Sequence, residues 1–234
     1  MDQPTIEFRG VTKSYLRGEQ EVPVLRDFSL SVSPGTFLAI MGPSGSGKTT
    51  ILNLIAGLDR PDLGSIHAAG VTVSTQREAD LARWRARHIG FVFQFYNLIP
   101  VLTAAENVEL PLLLSKLSTR DRITHVQAAL GLVGLGDRMH HYPRQLSGGQ
   151  EQRVCIARAI VSDPTIILAD EPTGNLDRNS AETIMGLLTR LHRELKKTIL
   201  MVTHDARAAG YAQDILHFDK GKEVTDDARH VDRA

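Results

Sequence analysis

The residues with the clearest chemical potential lie between Gly42 and Thr50. This segment contains three glycines, with Lys48 and Thr49 directly after the last of them. Backbone N–H groups approach phosphate oxygens closely only where side chains are absent, and an adjacent lysine supplies a positive charge. A threonine hydroxyl at the next position can bind Mg²⁺. The spacing G-x-x-x-x-G-K-[ST] predicts a phosphate-binding loop formed by Gly42, Pro43, Ser44, Gly45, Ser46, Gly47, Lys48, Thr49 and Thr50.

Two adjacent carboxylates, Asp170 and Glu171, follow the apolar run 165–169, which is typical of a buried strand. Neighbouring charges at the end of a core strand are unfavourable without a cation, so a purely structural role is hard to argue. The first carboxylate can hold Mg²⁺ through water. The second faces another direction and can polarise a water molecule that attacks a phosphate.

Gln94 and His204 also follow apolar runs, at 89–93 and 198–202. The carboxyl ends of strands in an open α/β sheet are where ligands bind, so we expect both side chains at the same edge as Asp170. Gln94 is either a strand-end cap or a group that reaches a metal or a water at the phosphates. A single histidine is usually structural, and only the position of His204 favours a functional role.

A second glycine-rich turn precedes the predicted helix that runs to Val161. It consists of Ser147, Gly148, Gly149 and Gln150. Ser147 is a suitable N-cap, and glycines before a helix leave N–H groups and the positive end of the helix dipole accessible. The segment is either an ordinary glycine turn or a second anion-binding helix start.

The elements that position these groups alternate between strands and helices, which predicts an α/β fold. An antiparallel β beginning leads into a parallel core. Within the second strand we expect Val24, Phe28, Leu30 and Val32 to point inward. The predicted strands are 5–15, 21–32, 37–41, 64–66, 89–93, 165–169, 198–202 and, as the last, 215–218. The predicted helices outside the region 95–160 are 48–57, 76–87 and 181–195.

Residues 95–160 predict a helical lobe inserted between strands. Thr103 and Glu106 form a capping box before a short helix that ends near residue 114. A second helix is predicted over 119–132, and its inward positions are Ile123, Val126, Leu130 and Val133. The lobe begins with an apolar stretch, 95–102, which the pattern alone assigns to the lobe core in preference to a docking surface.

The composition argues against several classes of protein. The 234 residues include 27 basic and 27 acidic side chains, and this balance argues against a general nucleic-acid binder. The single cysteine, Cys155, excludes a disulfide framework, fits a reducing compartment and is predicted to be buried. We expect no secretory signal, because residues 1–4 include no basic patch followed by an apolar stretch, and no zinc site, because the histidines show no ligand spacing. We expect no membrane helix, because no apolar run approaches roughly 20 residues. Any membrane span would come from another chain.

Taken together, six motifs in order resemble those of the nucleotide-binding subunit of ATP-binding cassette (ABC) transporters. The phosphate-binding loop is shared by many NTPases, but Leu146-Ser147-Gly148-Gly149-Gln150 followed by Asp170-Glu171 is highly specific. The resemblance covers the chain to about residue 220 and implies a single ABC ATPase domain. This domain would be a P-loop NTPase (RecA-like) core, 1–94 and 161–220, with an N-terminal antiparallel β subdomain, an inserted α-helical subdomain, 95–160, and a charged tail, 221–234.

The resemblance also implies a role for each motif, with ATP and Mg²⁺ as cofactors. Tyr15, which on its own is either a strand aromatic or a base-stacking ring, would stack on adenine. Glu171 would be the catalytic carboxylate, and His204 the switch histidine that contacts the γ-phosphate beside Lys48. Asp177 would belong to the D-loop at the nucleotide, and the implied metal ligands are Thr49, Gln94 and Asp170.

In this family two subunits pack head to tail, and each ATP lies between one phosphate-binding loop and the partner's signature. Ser147 and Gly149 would then bind the γ-phosphate across the homodimer, with Gly148 and Gln150 beside them. A monomer would bind ATP but hydrolyse it poorly.

The region 95–108 and the D-loop around Asp177 look most like the lipoprotein-release (LolD-like) and macrolide-export (MacB-like) branch. Such subunits pair with a separate integral membrane permease at the cytoplasmic face of the inner (cell) membrane. The resemblance therefore favours a docking surface near Phe95, Tyr96 and Leu98. The sequence departs from the family pattern at two positions. Glu151 stands where glutamine is more common and adds a negative charge near the signature, and Cys155 stands where alanine is more common.

Three functions remain open on the sequence alone. The first is a transport ATPase that drives efflux or lipoprotein release. The second is an FtsE-like regulatory ATPase that transmits force through a membrane partner without moving cargo. The third, a soluble ABC ATPase acting on ribosomes or DNA, ranks low because the chain has one cassette and no basic surplus.

Overall fold

The computed structural model describes residues 3–219 and 221–223, and the charged tail predicted at 221–234 lies outside them from residue 224 onward. The strands are β1 Ile6–Arg17, β2 Gln20–Val32, β3 Phe37–Met41, β4 Leu63–Ala68, β5 Val71–Thr72, β6 Ile89–Val92, β7 Ile166–Asp170, β8 Thr198–Thr203, β9 Asp214–Asp219 and β10 Lys222–Glu223. The α-helices are α1 Lys48–Ile55, α2 Glu78–His88, α3 Ala104–Glu109, α4 Thr119–Leu132, α5 Gly148–Ile160, α6 Arg178–Leu195 and α7 Ala206–Ala209.

The strands form two sheets, which confirms the predicted α/β class with an antiparallel beginning. One sheet is antiparallel with the order β2-β1-β4-β5, and the other has the order β10-β9-β3-β8-β7-β6. Strands β9, β3, β8, β7 and β6 are parallel, and β10 adds to the edge in antiparallel orientation. The interpretation of 215–218 as the last strand was therefore wrong, because the chain turns back once more along β9.

The core lies on both faces of the parallel sheet, because successive side chains of a strand point to opposite faces. Leu38 and Ile40 of β3 pack with α1 and the antiparallel sheet. Phe37 and Ala39 face the other side, where α3 to α6 pack. Each ligand-facing strand end is thus fixed between two buried layers.

The inward positions of β2 differ from the prediction. Phe28 and Val32 are buried, but Leu25 is buried in place of Val24, which is only half-buried like Leu30. The register shifts between Val11 and Lys13 of β1, and Asp27 opposite this shift has φ +50°. A β-bulge of this kind adds a residue to one strand and reverses the alternation beyond it.

Between β6 and β7 the described chain contains helical segments and no strand. In addition to α3, α4 and α5 it forms short 3₁₀ helices at Leu110–Leu114, Gly136–Arg138 and Pro143–Gln145. The capping box of Thr103 and Glu106 is present. The first helix changes to 3₁₀ geometry at Leu110, directly before Pro111, whose ring nitrogen cannot donate a hydrogen bond. Helix α5 packs on β6 and α6 as well as on α3 and α4, and so joins these helices to the parallel sheet.

Helix α4 has the predicted bounds, but one of its four inward positions was wrong. Val126, Leu130 and Val133 are buried, whereas Ile123 is 47% exposed. The residues around it from Thr119 to His125 are almost all exposed, so the first turns of α4 project beyond the packed part of the helix. In the described ranges no helix combines the length and apolar character that a membrane crossing requires.

Candidate functional site

The predicted phosphate-binding loop connects β3 to α1, and close packing explains two of its glycines, Gly42 and Gly47. A Cβ atom on Gly42 would lie 1.9 Å from the carbonyl oxygen of Phe218 in β9. Gly47 has φ +104°, and a Cβ there would lie 2.5 Å from Cγ1 of Val24. Only glycine fits at these two positions. No side chain caps the start of α1, so its first N–H groups are directed into the loop.

The polar groups of this loop fit a bound phosphate. Lys48 is buried, and its Nζ donates to the carbonyl oxygens of Gly42 at 2.8 Å and Pro43 at 2.7 Å. Burial lowers the pKa of Lys48, although the charges of Glu171 and Asp170 act in the opposite direction. The Ser46 hydroxyl is buried with no hydrogen-bond partner among the described residues. An orphaned hydroxyl and a buried ammonium in one glycine cradle match a ligand with several acceptor oxygens.

Two of the three predicted metal ligands are in contact. The Thr49 hydroxyl donates to Oδ1 of Asp170 at 3.2 Å. Burial raises the pKa of Asp170, and the charge of Glu171 raises it further. A hydroxyl and a carboxylate beside a phosphate cradle form the oxygen donor set that suits Mg²⁺.

Gln94, the third predicted ligand, lies elsewhere at the same sheet edge. A Cβ on Gly174 would lie 2.9 Å from Nε2 of Gln94. The backbone oxygen of Gln94 accepts a hydrogen bond from the side chain of Asn175. In the described chain no hydrogen bond joins Gln94 to Thr49 or Asp170. The structure therefore places Gln94 against the turn that follows Glu171.

Glu171 and His204 form a pair at the ends of β7 and β8. Nδ1 of His204 lies 2.8 Å from Oε1 of Glu171, and the Thr203 hydroxyl donates to Oε2 at 3.2 Å. Glu171 has φ +45°, and its N–H donates to the carbonyl oxygen of Val202. The two carboxylates have different partners, since Asp170 contacts Thr49 and Glu171 contacts Thr203 and His204. Both paired side chains line a cleft of about 410 Å³.

The second glycine-rich turn begins α5, and Ser147 is its N-cap as predicted. The Ser147 hydroxyl accepts from the N–H of Gln150, and the Gln150 side chain accepts from the N–H of Ser147, which completes a capping box. A Cβ on Gly148 would lie 2.9 Å from the Tyr96 hydroxyl, and one on Gly149 would lie 2.8 Å from the Ser180 hydroxyl.

No hydrogen bond in the described part of the chain joins residues 147–150 to the loop 42–50. Ser147 itself is exposed. The two predicted anion-binding helix starts of one chain are thus both available but not connected to each other.

Asp177 is the N-cap of α6 and is engaged with its own helix. Its carboxylate accepts from the N–H of Ser180 at 3.0 Å and from the Ser180 hydroxyl at 2.6 Å. The helix consequently begins at Arg178, three residues before the predicted start. These hydrogen bonds hold the pKa of Asp177 below its ordinary value.

Tyr15 lies near the end of β1 and is 40% exposed. Its hydroxyl donates to Oδ2 of Asp59 at 2.5 Å, and the ammonium of Lys13 lies 5.0 Å from the ring centroid. Burial and the hydrogen bond to Asp59 raise the pKa of Tyr15. Asp59 and Lys13 were not among the predicted site residues.

The three residues predicted for docking differ in exposure. Phe95 is 71% exposed, whereas Tyr96 and Leu98 are half-buried. Val101, Leu113 and Leu114, later in the chain, are also exposed apolar side chains, and the sequence analysis did not select them for docking. A run of apolar residues after Pro111 was the available signal for the latter two.

The segment after Gln94 is held by two residues that the sequence analysis did not identify. Tyr96 and Asn97 both have positive φ, and the guanidinium of Arg158 in α5 donates to their carbonyl oxygens at 2.7 and 2.6 Å. Asn107 is fully buried and bonds to backbone atoms of Ile99, Leu102 and Thr103. These long-range side-chain contacts leave no local pattern in the sequence.

Comparison with known proteins shows the family to which this chain belongs. Residues 25–174 match the family described as ABC transporter. The chain is 46% identical over 229 residues to an uncharacterized ABC transporter ATP-binding protein, YvrO, of Bacillus subtilis. The alignment covers 98% of this chain and 100% of that protein. It is 45% identical to the macrolide export ATP-binding/permease protein MacB 2 of Aeromonas hydrophila, over 98% of this chain but 35% of the relative. The chain thus spans about a third of the length of that relative.

A solved structure shares both sequence and fold. The dimeric post-hydrolysis state of the ATP-binding cassette MJ0796 bound to ADP and Pi has a TM-score of 0.87 and 42% identity, and the match covers 94% of this chain and 97% of that one.

Proposed function

The chain belongs to the ABC transporter family as an ATP-hydrolysing, ATP-binding cassette, and from this premise we propose that it powers a membrane permease by ATP-driven head-to-tail dimer closure. The proposal includes export of the efflux or lipoprotein-release type. It also places the chain at the cytoplasmic face of the cell membrane, as a single ABC ATPase domain with residues 95–160 as its helical subdomain.

The observation that carries the dimer mechanism is that no hydrogen bond joins the two predicted anion-binding helix starts, residues 42–50 and 147–150, within the described residues of one chain. Lys48 and the loop 42–50 can cradle the phosphates from one side, while Ser147 is exposed and makes no hydrogen bond to that loop. A second copy, packed head to tail, would bring its Ser147 and Gly149 to the γ-phosphate. This contact exists only while the γ-phosphate is present, so binding favours closure and hydrolysis favours release.

Hydrolysis would depend on Glu171 and His204. The carboxylate, fixed by Thr203 and His204, would accept a proton from or orient the attacking water, and the exposed imidazole would contact the γ-phosphate. Bound Mg²⁺, held by Thr49 and Asp170, would neutralise charge on the β- and γ-phosphates. Gln94 would take part only after leaving its position against Gly174.

Export is favoured by the relatives named macrolide export ATP-binding/permease proteins, in which the ATP-binding part accompanies a permease. Coupling to the permease would use the exposed apolar side chains around Phe95. Co-purification of the full-length chain with an integral membrane protein would support this partner, and co-sedimentation with ribosomes would contradict it.

The test of the ATPase mechanism measures hydrolysis against protein concentration for the wild type and Glu171→Gln, with size-exclusion chromatography in ATP. We expect wild-type activity to rise faster than linearly and the variant to be inactive but trapped as an ATP-bound dimer. Glu194→Gln, an exposed carboxylate of α6, is the matched control and should behave as the wild type. Strictly linear activity from a monomer that Glu171→Gln leaves intact would contradict the proposal.

A further inference from the structure

Three side chains around Tyr15 form a compact cluster that no motif describes. The Tyr15 hydroxyl donates to one oxygen of the Asp59 carboxylate, and Nζ of Lys13 donates to the other at 2.9 Å. Lys13 also donates to the carbonyl oxygen of Arg60 at 2.8 Å, and Asp62 lies 3.6 Å from the same ammonium. Lys13 is nearly buried, with 11% of its side chain exposed. The carboxylate of Asp59 therefore bridges a fixed cation and a phenol.

This cluster lies beside the phosphate-binding loop. Tyr15 pairs with Val22 across the β1–β2 hairpin, and Val24, two residues further along β2, packs against Gly47 of the loop. Thr50, in the first turn of α1, is close enough to the Tyr15 hydroxyl to oppose the rise of its pKa. The ring is thus positioned at the rim of the phosphate cradle, on the hairpin side.

The two faces of the Tyr15 ring are not equivalent. The Lys13 ammonium lies over one face, 5.0 Å from the centroid, while 40% of the residue remains exposed. A cation on one face of an aromatic ring is a favourable cation–π arrangement and leaves the other face for a flat ligand. The hydrogen bond from the hydroxyl to Asp59 restricts rotation of the side chain, which removes an ordering penalty that stacking would otherwise carry.

We propose that Asp59, together with Lys13, is a positioning residue that holds the Tyr15 ring ready to stack on the base of a bound nucleotide. The inference rests on the proposed nucleotide site, and it adds residues outside the recognised motifs. Stacking uses the π-face that every base offers, so this platform should contribute similarly for adenine and guanine nucleotides.

The electrostatics of the cluster agree with a permanently ionised bridge. Burial alone would raise the pKa of Asp59, but hydrogen bonds from Tyr15, Lys13 and the Arg60 N–H hold it below its ordinary value. Burial likewise acts to lower the pKa of Lys13, and the hydrogen bond and charge of Asp59 outweigh it. The Tyr15 phenol, whose pKa is raised, stays protonated and remains a donor.

The test compares two probes that differ in having a base, Mg·ADP and inorganic pyrophosphate, by isothermal titration calorimetry on the full chain. Asp59→Ala removes the acceptor of the Tyr15 hydroxyl and should weaken ADP binding about 3- to 10-fold, the range for one lost hydrogen bond, and change pyrophosphate binding less than about twofold. Tyr15→Phe removes only the hydroxyl and should weaken ADP binding by a similar factor. The double variant should bind ADP no more weakly than either single variant, because both changes break the same hydrogen bond.

A matched control lies elsewhere in the chain. Lys197 is 12% exposed and donates to Asp163 at 2.7 Å and to the carbonyl oxygen of Pro164 at 2.7 Å, nearly the arrangement of Lys13. Asp163→Asn removes the charged partner of this lysine and should leave binding of both probes unchanged. Asp163 is 87% exposed, against 27% for Asp59, and asparagine is used because residue 163 has φ +54°.

The outcomes separate the inference from the proposed function. Unchanged ADP binding in Asp59→Ala and Tyr15→Phe, or equal loss of ADP and pyrophosphate binding, would overturn the positioning role. A wild-type chain that binds pyrophosphate and ADP equally would also overturn it while leaving the phosphate cradle intact. A wild-type chain that binds neither probe would overturn the proposed nucleotide site itself.

Discussion

His204 Nδ1 lies 2.8 Å from Oε1 of Glu171, and this contact joins a largely buried carboxylate to an exposed ring. The Glu171 side chain is 15% exposed, whereas that of His204 is 63% exposed. The Thr203 hydroxyl holds the other carboxylate oxygen, so the orientation of Glu171 is fixed from two sides. The exposed imidazole lies on the solvent side of this pair, where a phosphate group and a second subunit could reach it.

We predict that His204→Ala lowers kcat for ATP hydrolysis by at least about 100-fold, the lower range for a group that acts in proton transfer or its positioning. ATP binding should change little, because Lys48 and the loop glycines remain. Steady-state kinetics with a separate binding titration would measure the two effects. His125→Ala, on the exposed side of α4, is the control, and equal loss of binding and kcat in His204→Ala would contradict the assignment.

Ser147→Ala and Ser118→Ala provide a matched pair of cap removals. Ser118 caps the 14-residue helix α4, and Ser147 caps the 13-residue helix α5. Each substitution should lower the free energy of unfolding by about 1 kcal/mol, the usual value of a serine N-cap. Only Ser147→Ala should also reduce ATP hydrolysis, since only that hydroxyl would face a partner's nucleotide. Urea unfolding and ATPase assays on both variants check this, and similar activities would exclude a special role for Ser147.

Asp170→Asn should stabilise the chain at neutral pH in the absence of Mg²⁺. Burial raises the folded-state pKa of Asp170, so its ionised form opposes folding. This destabilisation appears as the pH rises from the ordinary aspartate range through the raised pKa, and is absent at lower pH. The Tm of Asp170→Asn should therefore exceed that of the wild type at pH 7, with a difference that shrinks on acidification, while Mg²⁺-dependent hydrolysis falls.

Thermal unfolding in EDTA across this pH range provides the measurement, and Asp214→Asn, at an exposed position of β9, is the control. A Tm of Asp170→Asn below the wild-type value at every pH would contradict the explanation.

Asn107→Ala should lower the free energy of unfolding by about 2–4 kcal/mol, because it leaves several buried backbone groups without partners. The Asn107 amide bonds to the N–H of Ile99 and to the carbonyl oxygens of Ile99, Leu102 and Thr103. Chemical denaturation would measure the loss, with the exposed Asn179→Ala as the control. A change below about 0.5 kcal/mol, the range of ordinary surface substitutions, would refute this anchoring role.

Much of the fold could be predicted because its signals are local. The bounds of α4, the start of α1 after the loop and the capping box at Thr103 each follow from composition and spacing within a few residues. The burial of Leu25 in place of Val24 could not be predicted, because it depends on a bulge in the pairing of β1 with β2. The exposure of Ile123 depends on where neighbouring helices end.

The same distinction applies to the site. Asp170, Glu171 and His204 are candidates because their positions at strand ends can be inferred from apolar runs. Lys48 is a candidate because it follows a glycine-rich turn and begins α1. The bridge from Tyr15 to Asp59 spans 44 residues, and that from Arg158 to Asn97 spans 61. Side chains that act on distant parts of the chain carry no periodic signal, so the structure was needed to find them.

The central claim, that each ATP site is shared by two copies, is tested most directly by mixing Lys48→Ala and Ser147→Ala, two variants that each impair a different half of the site. In a mixed head-to-tail dimer one site would combine the intact loop of one copy with the intact Ser147 of the other. Random pairing of a two-fold symmetric dimer would restore up to about a quarter of wild-type hydrolysis. Restored activity in the mixture is the predicted result, and a mixture no more active than either variant alone would contradict the shared site.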